Sequence, residues 1–341
     1  MTKRIGIVFP GYGEQFIGMG KDLYDESRVV QEYFEQAASV AETNFVKLLF
    51  ASSDKDISSV RYAYLAIFLF ESSLYEVLWQ HGLRPDFLAG YGIGEYAACF
   101  ASRSLSLVDG LYFINKYSLF YDEFLKDKDY SVLKITRDFS VEAMQELIDE
   151  VSTEHVRAHI AAQNTKDGYY ISGSLAALEK IQEYCKKNVI RKVKALSAGY
   201  GLHSDAMDTI VEQLKLYYHK ISFKELQVPV ITNVDGVYVT SADALQSSVV
   251  RRINNKIDWY QVSKGFEGCD IILSVGPGTQ LIEWFEQLYP DKEYYTVQSL
   301  ADINNLKELI KQLNGTEIDS PKSLSDADRV NEKSSDYDSE E

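Results

Sequence analysis

Residues 88–98, LAGYGIGEYAA, have the residue types and spacing of a site for acyl chemistry. An apolar strand end, a tight turn and a helix that begins at Glu95 form the pattern of a nucleophile elbow, in which a serine stands at the centre of G-x-S-x-G. The central residue here is Gly92, which has no side chain that could attack a substrate. The segment therefore predicts either an elbow without its nucleophile or a glycine loop with another role.

The glycine spacing favours the elbow over a nucleotide-binding loop. A dinucleotide fingerprint requires G-x-G-x-x-G, and a P-loop requires glycines followed by G-K-[ST]; none of the clusters at 11–13, 90–94 and 276–278 fits. In an elbow, Gly90 and Gly94 would allow close contact between strand and helix. The central residue has positive φ, which strains a non-glycine residue by roughly 1–3 kcal/mol. A glycine at position 92 relieves that strain.

Amino-acid composition and net charge indicate which classes of partner the protein can bind and where it is located. The 341 residues include 45% hydrophobic residues, enough for one large core or two unequal ones, and the net charge is -16. An acidic surface repels phosphate backbones and anionic lipid, so we predict that neither nucleic acid nor membrane is a partner. The N-terminal residues lack the pattern of a signal peptide, and the longest apolar run, residues 62–70, is too short for a bilayer. We therefore predict a cytoplasmic protein.

Cysteine usage agrees with a reducing compartment. Cys99, Cys185 and Cys269 are odd in number and widely spaced, and no C-x-x-C is present. This pattern is typical of reduced thiols and predicts neither a disulfide framework nor a metal site.

Strands and helices alternate along most of the chain, which predicts an α/β layer fold with a mostly parallel sheet. Residues 129–197 follow a β-α-β-β-α-β order, typical of a ferredoxin-like unit. We predict that this small subdomain is inserted into a large subdomain formed by residues 1–128 and 198–314. Residues 315–341 contain nine acidic and three basic residues without apolar periodicity, and they predict a disordered acidic tail.

Five segments together carry a resemblance to one family. In chain order they are VFPGYGEQFIGMGKDLY (F-P-G-Q-G-S-Q in the family), LRPDFLAGYGIGEYAACFASRSLSLVDGL (G-H-S-L-G-E-Y-A-A), NTKDGYYISG (N-x-x-x-Q-x-V-I-S-G), GLHSDAM (F-H-S-x-x-M) and LSVGPGTQL (E-x-G-P-G-x-x-L). Over about residues 4–300 the chain resembles the malonyl-CoA:acyl-carrier-protein transacylases, a family shared with the acyltransferase domains of fatty-acid and polyketide synthases. The resemblance implies an α/β-hydrolase-like large subdomain with an inserted ferredoxin-like small one.

The resemblance also implies a mechanism and its residues. In the family an elbow serine, activated by a histidine, takes the acyl group from coenzyme A and passes it to a carrier protein. By correspondence the nucleophile position is Gly92 and the base position is His203. The oxyanion would face the backbone amides of Tyr12 and Ile93, and the carboxylate-binding arginine of the family corresponds to Tyr117.

The other correspondences depart from the family pattern as well. The elbow histidine corresponds to Tyr91, the glutamine near the base histidine to Arg252, and the glutamine of the small subdomain to Gly168. Lys116 is adjacent to Tyr117, but one residue along a helix is about 100° around it, so Lys116 would need rearrangement to replace the lost charge. Three tyrosines, at 12, 91 and 117, are expected to crowd the cleft.

These departures lead to two hypotheses. The first is a non-catalytic or strongly impaired homologue that binds an acyl carrier protein, an acyl-CoA or another synthase component. The second is an active acyltransferase or acyl-thioester hydrolase that uses His203 without the usual serine. Ser197 and Ser204 lie near His203 in the sequence, but neither stands in an elbow. Under both hypotheses no cofactor is bound, and a coenzyme A thioester is the expected ligand.

Overall fold

The computed structural model describes residues 3–126, 128–137, 139–154 and 156–314. The helices are α1 (Lys21–Glu26), α2 (Arg28–Ala41), α3 (Phe45–Ala51), α4 (Asp54–Ile57), α5 (Val60–Gln80), α6 (Gly94–Ala101), α7 (Leu107–Lys126), α8 (Val141–Val151), α9 (Leu175–Lys187), α10 (Asp208–Tyr218), α11 (Ala242–Asn254), α12 (Trp259–Lys264), α13 (Gln280–Leu288) and α14 (Leu300–Leu313). The strands are β1 (Ile5–Phe9), β2 (Phe87–Gly90), β3 (Tyr130–Thr136), β4 (Ala158–Thr165), β5 (Gly168–Ser174), β6 (Val193–Leu196), β7 (Val230–Ile231), β8 (Tyr238–Val239), β9 (Ile257–Asp258), β10 (Ile271–Val275) and β11 (Glu293–Val297).

The larger sheet has the strand order β11-β10-β1-β2-β7-β8, and every pair in it is parallel except β7–β8. All residues of β1, β2 and β10 are buried, because helices cover both faces of a parallel sheet. The predicted α/β fold with a mostly parallel sheet is confirmed. The carboxyl ends of β1 and β2 lie side by side, with Phe9 paired to Gly90, and the loops that leave them form the candidate site.

The smaller sheet has the order β6-β3-β5-β4-β9, and α8 and α9 pack against it. The predicted β-α-β-β-α-β order is confirmed, and this unit has an apolar core of its own. The fifth strand, β9, runs parallel to β4 and comes from chain beyond residue 197. The small sheet is therefore completed by a segment that follows α11 of the large subdomain.

Several short elements were not predicted from the sequence. The sequence predicts a strand in the apolar run at residues 228–234, and the structure forms one there, β7, of only two residues. Strands β8 and β9 and helix α12 were missed because they are too short to show a periodicity. Helix α14 was also missed, although Ile303, Leu306 and Ile310 have helical spacing and Ser299 caps its first turn. The predicted acidic tail lies outside the described residues. Cys99, Cys185 and Cys269 are buried and unpaired.

Helix α5 is buried on nearly all sides, including the apolar run at 62–70, which the structure confirms as a buried helical segment. No helix in the described part of the chain is long and apolar enough to span a membrane. Within α5, Glu71 is fully buried, and neither of its carboxyl oxygens has a hydrogen-bond partner among the described residues. Its Oε1 packs against Gly276, where a Cβ would lie only 2.7 Å away. Burial raises the pKa of Glu71 well above its usual range.

We predict that Glu71→Gln stabilises the protein at neutral pH. The folded state keeps the Glu71 proton at a pH where the unfolded chain loses it, so stability falls as pH rises above about 4.5, by about 1.4 kcal/mol per pH unit up to the folded pKa. Glutamine removes this loss. Thermal unfolding should show a higher Tm for the variant at pH 7 and equal values near pH 4. Glu35→Gln, at an exposed position of α2, should leave the pH profile unchanged; an unchanged profile for Glu71→Gln would contradict the prediction.

Candidate functional site

The segment that links β2 to α6 has the geometry of an elbow. Gly92 has φ of 56°, in the left-handed region. A Cβ on Gly90 would lie 2.0 Å from the carbonyl oxygen of Gly94, and a Cβ on Gly94 would lie 2.2 Å from that of Pro10. Strand, helix and the loop after β1 therefore touch through backbone atoms alone, and both flanking glycines are required by packing.

Gly92 itself is not required by packing. The nearest atom to a Cβ placed there would be Cδ1 of Ile257, at 4.0 Å, an ordinary van der Waals distance. Only the positive φ disfavours a side chain, at a cost of roughly 1–3 kcal/mol. The elbow thus has room for a nucleophile that the sequence does not supply.

Asn233 holds the elbow in place. It follows β7, the strand next to β2, and its side chain is fully buried. Its Oδ1 accepts from the amide of Gly92 at 3.0 Å, and its Nδ2 donates to the carbonyl of Gly90 at 2.6 Å. The backbone amide of Asn233 donates to Oε1 of Glu95 at 3.0 Å. One side chain therefore satisfies a donor and an acceptor of the elbow backbone.

Glu95, which accepts from the Asn233 backbone amide, also forms a buried ion pair. Oε2 of Glu95 lies 2.9 Å from Nε of Arg252, on α11, and both side chains are almost completely buried. The guanidinium lies 5.1 Å from the ring centre of Tyr96, so an aromatic face also contacts the cation. Because an unpaired charge would be costly at this depth, each partner depends on the other. The pair joins the elbow helix α6 to α11.

His203 is attached to the same residue. Its Nδ1 lies 2.8 Å from the carbonyl oxygen of Arg252, and the residue is buried with φ of 44°. Burial and the nearby guanidinium of Arg252 lower the pKa of His203 to about 3. The ring is therefore neutral at physiological pH, and Nδ1 carries the proton that faces the carbonyl. In this tautomer Nε2 carries the lone pair that a base requires; it packs against Gly201, where a Cβ would lie 2.3 Å away, and the backbone of Tyr200 is a second hydrogen-bond partner of the ring.

The backbone amides predicted to face an oxyanion are free. The amides of Ile93 and Tyr12 donate to no acceptor among the described residues. The loop that contains Tyr12 packs on the elbow, since a Cβ on Gly11 would lie 2.7 Å from the carbonyl oxygen of Tyr91. Two unused donors thus border the turn at Gly92, and their role in oxyanion binding stays a prediction.

The three tyrosines expected in the cleft fall into two groups. Tyr91 donates from its hydroxyl to Oδ1 of Asn164 at 2.7 Å, and its ring packs edge-on against Trp259 and Trp284. Tyr12 and Tyr117 are joined through Tyr64, whose ring centre lies 6.0 Å from the first and 5.6 Å from the second.

The cation near Tyr117 comes from α11. Burial raises the pKa of Tyr117, and the guanidinium of Arg252 beside it opposes that shift. Lys116, the neighbour of Tyr117 along α7, instead packs on the rings of Tyr112 and Tyr217. The structure thus places Arg252, and not Lys116, next to Tyr117; that Tyr117 corresponds to a carboxylate-binding arginine stays a prediction.

Beside Asn164, two adjoining cavities of about 150 and 140 Å³ lie between the β4–β5 hairpin and α13. Both are lined by Asn164, Thr165, Asp167, Trp284 and Gln287. Gly168 also borders the second one. Since Asn164 accepts the Tyr91 hydroxyl, these cavities are linked to the elbow by one hydrogen bond.

Sequence reasoning missed Asn233 and Asn164 as site residues. Asn233 follows a strand of two residues, which gives no local signal of its position beside β2. Asn164 lies within the NTKDGYYISG segment, but only the structure shows that it meets Tyr91.

We predict that Asn233→Ala destabilises the protein by about 2–4 kcal/mol. The change leaves the amide of Gly92 and the carbonyl of Gly90 buried without partners. Urea unfolding measures the free energy of unfolding. Asn255→Ala, which removes exposed hydrogen bonds at the end of α11, should change it by less than about 0.5 kcal/mol. Equal effects of the two substitutions would show that Asn233 does not hold the elbow.

Comparison with known proteins identifies the family. The family model described as "Acyl transferase domain" matches residues 7–256. The chain is 28% identical over 280 residues to the malonyl CoA-acyl carrier protein transacylase of Bacillus subtilis (strain 168), which covers 82% of this chain and 88% of that protein. It is 23% identical over 308 residues to that of Staphylococcus aureus (strain MRSA252), with 89% and 99% covered.

Solved structures show the same fold. The malonyl CoA-acyl carrier protein transacylase of Coxiella burnetii superposes with a TM-score of 0.85 at 20% identity, with 91% of this chain and 98% of that chain covered. A malonyl-transacylase in complex with a type II PKS acyl-carrier protein gives 0.84 at 21% identity, with 90% and 99% covered. Because the family model spans well over half of the sequence, this chain belongs to the acyl transferase family that contains the malonyl-CoA:acyl-carrier-protein transacylases.

Proposed function

We propose that this protein is a non-catalytic or strongly impaired family member in a fatty-acid or polyketide context, which binds an acyl carrier protein or acyl-CoA without taking the acyl group. The observation that carries the proposal is the elbow at Gly92. Its backbone makes the turn that an elbow requires, and a Cβ at position 92 would meet no atom closer than 4.0 Å, but no nucleophilic atom is present. Covalent acyl transfer needs that atom, since the acyl group must be held between donor and acceptor.

Neighbouring hydroxyl groups do not replace the missing serine. The Ser204 hydroxyl is buried and has no hydrogen-bond partner among the described residues, so no base activates it. Ser197 donates to the hydroxyl of Tyr12 at 3.2 Å and lies outside the elbow. A serine is a weak nucleophile unless a base accepts its proton.

Features that would bind a thioester are present. The free amides of Ile93 and Tyr12 could receive a carbonyl oxygen, and neutral His203 adds no charge that would repel or attract the acyl group. The cavities beside Asn164 offer amide groups and an aromatic face, which suit the amide-containing phosphopantetheine arm shared by coenzyme A and carrier proteins. The printed title of one structural neighbour describes a complex with an acyl-carrier protein.

The region around Tyr117 and Arg252 should not select an acyl group that carries a free carboxylate. Tyr117 is neutral, and the guanidinium of Arg252 beside it is paired with Glu95. A malonyl carboxylate at this depth would have to compete with Glu95 for that cation. We therefore infer weak discrimination between malonyl and acetyl groups.

Intact-mass measurement after incubation with malonyl-CoA or acetyl-CoA tests the covalent step. We expect no adduct on the wild-type chain, and an adduct on the Gly92→Ser/Tyr91→His double variant, because the elbow has room for the side chain. The malonyl and acetyl yields of that variant should agree within about tenfold, which corresponds to 1.4 kcal/mol. Gly92→Ala with Tyr91→His is the matched control: it adds the same Cβ without the hydroxyl and should stay unmodified. A stable adduct on the wild-type chain would refute the proposal.

Two further measurements separate binding from hydrolysis. Isothermal titration with coenzyme A and with a phosphopantetheine-bearing carrier protein should detect binding of at least one, and binding of neither would contradict the proposal. Coenzyme A release from acyl-CoA should be equally slow for wild type and His203→Ala. Release that His203→Ala abolishes would instead support a hydrolase in which His203 acts as the base, because the roughly 10³–10⁴-fold acceleration from binding and oxyanion contacts alone would remain in that variant.

A further inference from the structure

One surface of the small subdomain has a charge opposite to that of the whole protein. Four exposed cations occupy seven residues at the end of α9 and in the loop before β6; we call this surface the basic patch: Lys186, Lys187, Arg191 and Lys192. The chain as a whole has a net charge of -16. Such a concentration of one sign attracts groups of the other sign.

The basic patch lacks compensating acids in the described part of the chain. None of its four cations forms an ion pair there, although ion pairs within 4 Å occur on many other surfaces. Glu183 is one helical turn before Lys187 but makes no such contact with it. The patch is therefore open to an acidic group from elsewhere.

An apolar cavity of about 500 Å³ lies within the basic patch. Its wall includes Cys185, Val189, Ile190 and Val193, and Lys186 and Arg191 border it. Val189 is 66% exposed and has φ of 58°, a strained conformation for a β-branched residue. An exposed apolar site marks an interaction surface, and the two cations at its border favour a segment that carries acidic side chains beside an apolar or aromatic one.

The sequence itself contains such a segment. Residues 336–341, DYDSEE, place four acidic side chains around Tyr337. They follow Asn314, where the described residues end, after a connection that spans roughly 75 Å when extended. A folded unit of this size has a diameter of about 50 Å, so the segment can reach the basic patch. Because it belongs to the same chain, its effective concentration at the patch would be on the order of millimolar.

We propose that residues 336–341 dock on the basic patch of their own chain, with the Tyr337 ring in the cavity and the carboxylates against the lysines. Each surface ion pair is weak and screened by salt, so several pairs, one buried ring and the covalent tether act together. The docked segment would occupy a surface that any other acidic partner would also seek. Docking is independent of the proposed function, because it needs no acyl ligand and no contact at the elbow.

Photo-cross-linking in the full chain tests the proposal. Tyr337 is replaced by p-benzoylphenylalanine, and the cross-linked peptides are mapped by mass spectrometry after irradiation. We expect most cross-links within residues 182–194, in material with the mass of one chain. The yield should fall at least fivefold in the triple variant Lys186→Glu/Lys187→Glu/Lys192→Glu and in 0.5 M NaCl. The triple variant Lys47→Glu/Lys55→Glu/Lys224→Glu, which makes the same charge change at exposed positions elsewhere, should keep the yield.

A second set of variants leaves the described residues untouched. Neutralising the segment with Asp336→Asn, Asp338→Asn, Glu340→Gln and Glu341→Gln should lower the same cross-links to the level of the patch variant. Cross-links concentrated outside residues 182–194, or insensitive to both charge changes, would overturn the proposal. Cross-linked material with the mass of two chains would also overturn it, because it would show that the segment docks on a second copy.

Discussion

The candidate site depends on one buried amide side chain. The Asn233 side chain forms hydrogen bonds with the backbone of Gly90 and Gly92, and its backbone amide donates to Glu95. Glu95 pairs with Arg252, and the backbone carbonyl of Arg252 contacts the ring of His203. Residues from β7, α6, α11 and the His203 loop are joined in one polar chain through an otherwise apolar interior. Since each member contacts the next by a hydrogen bond or an opposite charge, the loss of one would leave a buried donor, acceptor or charge unpaired. The geometry of base and elbow is thus set by residues that touch no substrate.

This connectivity explains how a site can keep its form after its chemistry changes. The polar chain reaches the elbow through backbone atoms of Gly90 and Gly92, so it is indifferent to the side chain at position 92. His203 is oriented by a carbonyl group, which any residue at 252 would provide. The glycines at 90 and 94 are fixed by contacts with backbone atoms. Neither the fold of the elbow nor the orientation of His203 therefore depends on a nucleophilic side chain at position 92.

The parts of the fold that rest on long buried patterns were predictable from the sequence. The alternation of apolar runs and amphipathic segments gave the parallel sheet and the order of the small subdomain, since these elements are long enough to show a period. The strands β7 and β9 are two residues long and are fixed only by their neighbours. For the same reason the position of Asn233 could not be derived: it reaches the elbow only because a short strand lies beside β2. Correspondence of motifs assigned Arg252 to a position near the base histidine, where its carbonyl contacts His203, but gave no sign of its ion pair with Glu95. Correspondence of motifs placed Gly92 and His203, and the structure gives both residues positive φ.

The free space in front of Gly92 also has a genetic consequence. Two of the glycine codons differ from serine codons by a single base. Because the nearest atom to a new Cβ would be at van der Waals distance, that base change would require no accompanying change in the neighbours. Packing therefore opposes neither the change from glycine to serine at position 92 nor the reverse change. Position 92 is open to repeated loss and recovery of a hydroxyl, whereas positions 90 and 94, closed by their neighbours' backbone, are not.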